Sequence, residues 1–141
     1  MWTPRVLIVD DSNEMVRLLA AWFEEEGCDV ITAGSGRQGL DAAAIYYPDV
    51  VFLDLVMPPP DGIEVARLLK ARLSPEVVFM TGLSSAECRR RGTDGDAAVL
   101  LEKPLTRETA VDELVNALDR CRRDPLSRLR AHFGALPRLP Y

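Results

Sequence analysis

Short apolar runs alternate along this chain with amphipathic stretches. Arg5–Val9 (RVLIV) is rich in β-branched residues and stops at two aspartates, as a buried strand would. Ser12 or Asn13 can cap the next element. There Met15, Leu18, Leu19, Trp22 and Phe23 recur at three- and four-residue intervals, which predicts a helix with one apolar face that ends at Gly27. Asp29–Ala33 reads as a second strand. Ser35 and Gly36 open a second helix with Leu40, Ala43 and Ala44 on its apolar side, and Pro48 follows it. Val50–Leu53 is a third strand and leads directly to another aspartate, Asp54. Three prolines at 58–60 precede Asp61 and Gly62, then a third helix carries Ile63, Val65, Ala66, Leu68 and Leu69. Glu76–Met80 is a fourth strand that stops at Thr81. A short helix follows over about Ser85–Arg91. Ala97–Leu101 is a fifth strand, and Thr106 can cap a last helix with Ala110, Leu114, Val115 and Leu118 on its apolar side.

Five strands that alternate with five helices predict an α/β fold. Uninterrupted apolar strands suit a parallel sheet covered by helices on both faces. Right-handed crossovers then give a doubly wound, flavodoxin-like sheet, for which 2-1-3-4-5 is the common order of five βα units.

The bulk properties remove other classes. With 141 residues, 48% of them hydrophobic and 28% charged, the chain is one ordinary globular domain that needs no disulfide or structural metal. A net charge of −5 argues against a nucleic-acid surface as the main function. The three cysteines, Cys28, Cys88 and Cys121, are far apart, lack metal-ligand spacing and follow no secretory leader. They read as reduced thiols of a cytoplasmic protein. No apolar run approaches the roughly 20 residues of a membrane helix. The one histidine, His132, lies near the C-terminus, which argues against histidine-based metal or triad chemistry.

The informative polar residues share a position. Asp10 and Asp11 follow the first strand, Asp54 the third, Thr81 the fourth and Lys103 the fifth. In a parallel sheet these converge on the carboxyl edge, where open α/β sheets bind ligands. Three carboxylates in one small space repel each other, and a hard divalent cation relieves this. Mg²⁺ takes oxygen ligands and often only one or two carboxylates plus waters. Asp11 and Asp54 are candidate direct ligands, Asp10 one acting through a water, and a backbone carbonyl just after Asp54 can add another oxygen. An ionised aspartate is also a nucleophile that can form an aspartyl phosphate. Lys103 brings positive charge to the incoming oxygens, and Thr81 a hydroxyl donor.

VLIVDDS, VVFLDLVMPPPDG, FMTG and LLEKPL, in this order and spacing, resemble the signature segments of response-regulator receiver domains of two-component systems, the CheY-like superfamily. No single piece is specific; the four together on a matching βα pattern are. The likeness covers about Arg5–Arg122. It implies a domain over 4–123 that takes a phosphoryl group on Asp54 with the help of Mg²⁺. By the same resemblance, Asp10 and Asp11 match the acidic pair that holds the metal, and the Val56 carbonyl matches its backbone ligand. Thr81 matches the switch hydroxyl and Lys103 the family's lysine. The Lys103–Pro104 bond is cis in similar proteins, and an X-Pro bond permits this. The implied donor is a sensor histidine kinase or a histidine phosphotransfer protein, with a downstream protein as target. Such a chain is a self-phosphorylating switch rather than a conventional enzyme. Dimerisation through the fourth and fifth helices is common in similar proteins.

The sequence departs from the family pattern at three positions. Leu100 stands where many receivers carry Tyr or Phe. Val56 and Leu83, two residues after Asp54 and Thr81, often tune dephosphorylation in the family; both are apolar here, which predicts a long-lived phosphoryl group. The remaining polar and sulfur motifs read as structural. Arg89–Arg91 forms a solvated helix face, Met57 and Met80 pack in the core, and Asp61–Gly62 starts the third helix. From Arg120 to Tyr141, six arginines (120, 122, 123, 128, 130 and 138) and one acid, Asp124, give +5 and leave −10 on the rest of the chain. Residues 124–141 are thus a basic tail or linker, with Leu126, Leu129 and Phe133 spaced for one helix face. This piece is too short for an ordinary DNA-binding domain. Two other functions compete. One is a pseudo-receiver that keeps the fold without phosphorylation. The other is a small Mg²⁺-dependent phosphohydrolase, which would need a second acid where Val56 stands.

Overall fold

A computed structural model of the chain describes residues 2–93 and 99–123. The expected strand start at Ala97 and Ala98 and the tail 124–141 lie outside the described residues. Five strands, β1 (Arg5–Val9), β2 (Asp29–Ala33), β3 (Val50–Asp54), β4 (Glu76–Thr81) and β5 (Val99–Glu102), form one parallel sheet in the order β2-β1-β3-β4-β5. Between and after them run α1 (Asn13–Glu25), α2 (Gly36–Tyr46), α3 (Gly62–Arg72), α4 (Ser85–Arg90) and α5 (Arg107–Arg123). The doubly wound order expected for five βα units is the one found. β3 and β4 each run one residue further than the apolar pattern suggests, so Asp54 and Thr81 are the last residues of their strands rather than the first beyond them.

Strand alternation splits the interior into two cores. Val6, Ile8, Val50, Phe52, Val78 and Met80 face Leu19 and Phe23 of α1 and Leu114, Ala117 and Cys121 of α5. Leu7, Val9, Val51, Leu53, Val77 and Phe79 face Ala43 of α2, Val65, Ala66 and Leu69 of α3, and Cys88 of α4. Three helix positions expected on apolar faces are solvent-facing instead: Leu18, Ala44 and Val115, the last 57% exposed. The period is that of a helix, but each of these helices contacts the sheet over a stripe narrower than its run of apolar residues. Among the described residues, no helix is long and apolar enough to cross a membrane.

Polar caps fix where the helices begin. Ser12, Ser35, Asp61 and Ser84 are the N-caps of α1 to α4, each accepting from a backbone N–H three residues on. Two glycines let the chain pack backbone to backbone near the β3 end. A Cβ on Gly62 would meet the Asp54 carbonyl oxygen and lie 2.8 Å from Leu55 Cα, and one on Gly36 would meet the Pro60 carbonyl oxygen. Neither neighbour is a flexible side-chain end, so Gly62→Ala should cost about 1–3 kcal/mol through forced backbone displacement. Its urea midpoint should fall with an unchanged slope. A wild-type midpoint would show that the loop yields freely.

Candidate functional site

Strand register decides which side chains meet. Val9 of β1 pairs with Leu53 of β3, so the residues that follow, Asp10 and Asp54, emerge side by side at the carboxyl edge. Thr81 of β4 pairs with Glu102 of β5, which places Lys103 one residue beyond the same edge. Asp10, Asp54 and Thr81 are buried, whereas Asp11 is exposed. One carboxylate oxygen from each of Asp10, Asp11 and Asp54 lies within 4.8 Å of the others. Lys103 Nζ is 3.1 Å from an Asp10 oxygen and 3.6 Å from an Asp54 oxygen.

Three strand ends are tied off in the same way. Asp10 accepts the Ser12 N–H at 2.9 Å, Asp54 the Val56 N–H at 3.2 Å and Thr81 the Leu83 N–H at 2.9 Å. In each case a side chain bonds the backbone two residues on, the local turn that Asp and Thr favour. Each hook satisfies one backbone donor of the loop that follows its strand. The Lys103 N–H donates to the Thr81 carbonyl at 2.7 Å, and the Lys103–Pro104 bond is cis. A second cis bond, Pro59–Pro60, lies in the loop after Asp54.

The electrostatics are unequal. Burial, and next the neighbouring Asp10 carboxylate, push the Asp54 carboxyl up to about 6, against the opposing pull of Lys103 and the Val56 N–H. Asp10 has the shorter bonds to both the lysine and its backbone donor, so Asp54 is the less compensated of the pair. The cluster offers a cation carboxylate oxygens alone, with the Asp11 side open to water. That donor set suits a hard divalent ion such as Mg²⁺.

The other expected positions take up places around this cluster. Val56 follows Asp54 closely, its N–H on the carboxylate and its side chain exposed. Leu83 is partly buried against the α2–α3 core. Leu100 pairs with Phe79 on the edge strand β5 and is 39% exposed. One neighbour carries no mark in the sequence beyond that of a reduced thiol: Cys88, buried in α4, has its Sγ 4.0 Å from the Thr81 hydroxyl oxygen. Its spacing of seven residues from Thr81 carried no signal, because a single cysteine on a short helix has no periodicity to mark it.

The family model of the response regulator receiver domain matches residues 6–117. The chain belongs to this family. Transcriptional regulatory protein TcrA of Mycobacterium tuberculosis is 37% identical over 139 residues, covering 96% of this chain and 49% of that protein. Transcriptional regulatory protein PdtaR of the same species is 28% identical over 118 residues, covering 82% and 56%. The receiver domain thus spans about half the length of the curated relatives it matches. Among solved structures, the chemotaxis protein CheY4 of Vibrio cholerae is 27% identical with a TM-score of 0.75 over 82% of this chain and 98% of that one. A receiver domain protein from Methanospirillum hungatei is 23% identical with a TM-score of 0.77, which speaks to the fold alone; it covers 86% of this chain and 98% of that one. Receiver domains of two-component response regulators act as signalling switches through phosphorylation of an aspartate.

The raised Asp54 carboxyl carries a stability consequence. A carboxyl whose value is higher folded than unfolded destabilises the fold when ionised; the penalty is full above about 6 and gone below its ordinary value of 3.8. Without divalent cation, Asp54→Asn should therefore raise stability by about 1–3 kcal/mol at neutral pH, seen as a higher Tm. The gain should fade as pH falls toward 4, and added Mg²⁺ should raise the wild-type Tm more than that of the variant. Equal Tm values at neutral pH would show that Asp54 is compensated after all.

Proposed function

We propose that this receiver domain takes a phosphoryl group on Asp54 from the phosphohistidine of a sensor histidine kinase or a histidine phosphotransfer protein. The observation that carries the reading is the pairing of Asp54 with Asp10 under one lysine, Lys103, at the carboxyl edge of the sheet. Asp10, Asp11 and Asp54, with the Val56 carbonyl, are the groups to hold Mg²⁺. When bound, the ion supplies positive charge to the carboxylates and to the phosphoryl oxygens.

The chain's own residues do the rest. An Asp54 carboxylate oxygen forms the new bond to phosphorus while the bond from phosphorus to the donor nitrogen breaks; the nitrogen keeps the electron pair, and the imidazole leaves neutral with its proton on the other ring nitrogen. Lys103 lies 3.6 Å from that carboxylate, within reach of a phosphoryl oxygen. Thr81 already accepts through its oxygen, which leaves its proton free for a phosphoryl oxygen. The exposed Val56 and the half-buried Leu83 flank the site with hydrocarbon and offer no polar group to orient an attacking water. That favours a persistent phosphoryl group. The domain is then a switch that catalyses its own modification, not a turnover enzyme, and its setting is the cytoplasm. Its target is a downstream protein, or a further domain of a regulator as long as its relatives, and pairing through α4 and α5 is a mode open to it.

Acetyl phosphate with Mg²⁺ should add the mass of one phosphoryl group to the intact protein and none to Asp54→Asn. Lys103→Ala should slow the gain about 10-fold or more. The adduct should outlast a half-life of seconds once free acetyl phosphate is removed. No gain and no Mg²⁺ binding would mark a pseudo-receiver, and steady release of phosphate from esters a hydrolase.

A further inference from the structure

The helices run from the carboxyl edge of the parallel sheet back to its amino edge, so their C-terminal ends, the negative ends of their dipoles, gather there. α3, α4 and α5 carry basic residues in their last turns, whereas α1 and α2 carry none. The end of α2 is also apolar on its outer side: Ile45 is 64% exposed and Tyr46 47%. It already takes one guanidinium group, since Arg5 Nη1 donates to the Tyr46 carbonyl at 3.0 Å. The end of α5 lies close by. Cys121 Sγ is 3.3 Å from the carbonyl oxygen of Asp49, which follows α2 by a short loop, and α5 stops at Arg123.

Residues 124–141 leave from that point, with Arg128, Arg130 and Arg138 against one acid, Asp124. Their sequence reads as one short helix. Asp124 is a good N-cap, Pro125 suits the first helical position and Gly134 a C-terminal stop. Leu126, Leu129 and Phe133 then share one face, with Arg130 at its margin. A helix this short is marginal alone in water and needs a surface for its apolar side. The last turn of α5 is a poor one, because Arg120, Arg122 and Arg123 repel the tail arginines.

We propose that the end of α2 is the docking site of residues 124–134, with Leu126, Leu129 and Phe133 laid over Ile45 and Tyr46 and Arg130 turned to the carbonyl end of that helix. This is independent of phosphorylation at Asp54. The path from α5 is short, since each residue adds up to about 3.5 Å of reach. Burial of apolar side chains from both segments drives the contact, and charge selects this helix end over that of α5. Whatever follows residue 134 then starts beside α2, at the end of the sheet opposite Asp54.

Hydrogen exchange of the full chain, read by mass spectrometry, tests this. Amides of residues 127–133 should exchange about 10-fold slower than an unprotected chain. Ile45→Glu should abolish that protection and leave β1 to β5 unchanged, because the side chain it replaces is mostly in solvent. Ile45→Met should retain it. Phe133→Ser should abolish it from the other partner and speed exchange at residues 44–47 about 3-fold. Arg130→Glu should weaken the protection about 3-fold at low salt, and the difference should fade in about 1 M salt. Unprotected exchange of residues 127–133 in the wild type, or protection that survives Ile45→Glu, would overturn the docking. Protection that grows with protein concentration, together with a dimer mass in sedimentation, would put a second copy on this face and overturn it equally.

Discussion

Two buried carboxylates cannot stand side by side without a cation, and the site is organised around that constraint. Asp10 and Asp54 are neighbours because β1 and β3 are parallel and paired. Lys103 reaches them from a position 93 residues beyond Asp10, across the whole topology. Coulomb repulsion between the acids in a low-dielectric pocket is thereby offset, but not equally. Asp10 takes the shorter share of the lysine and a good backbone donor, while Asp54 keeps a longer contact to each. The uneven division leaves one carboxylate settled and the other with more to gain from added positive charge.

The repeated hook at the strand ends gives this asymmetry a second use. At β1 and β3 the hook is a carboxylate on a backbone N–H; at β4 it is the neutral hydroxyl of Thr81. A charged acceptor holds its donor more strongly than a neutral one. The loop after β4 is thus held by the one neutral hook of the three, and it leads into α4, which buries a single residue, Cys88.

Much of this was legible in the sequence, for identifiable reasons. Apolar runs such as VLIV and VVFL mark their strands through uninterrupted burial, and the caps Ser12, Ser35 and Asp61 mark helix starts through their chemistry. Asp10, Asp54, Thr81 and Lys103 were readable because each adjoins a strand end, and a parallel sheet turns that one-dimensional regularity into a cluster. What escaped was contact made by packing. Nothing in the sequence tells Leu18 or Val115, which face solvent, from the buried Leu19 or Leu114, because the width of a helix contact depends on its tilt on the sheet. Cys88 escaped for the same reason, since its meaning comes from Thr81 lying beneath it.

The two close backbone approaches, Gly62 against the Asp54 carbonyl and Gly36 against the Pro60 carbonyl, have a mechanical consequence. With no room for even one methyl group, α2 and α3 form a wedge behind the main chain that carries Asp54. The main chain at Asp54 and the loop after it are thus backed by closely packed backbone on the α2–α3 side. Two absent methyl groups therefore set how closely α2 and α3 approach the chain that follows β3.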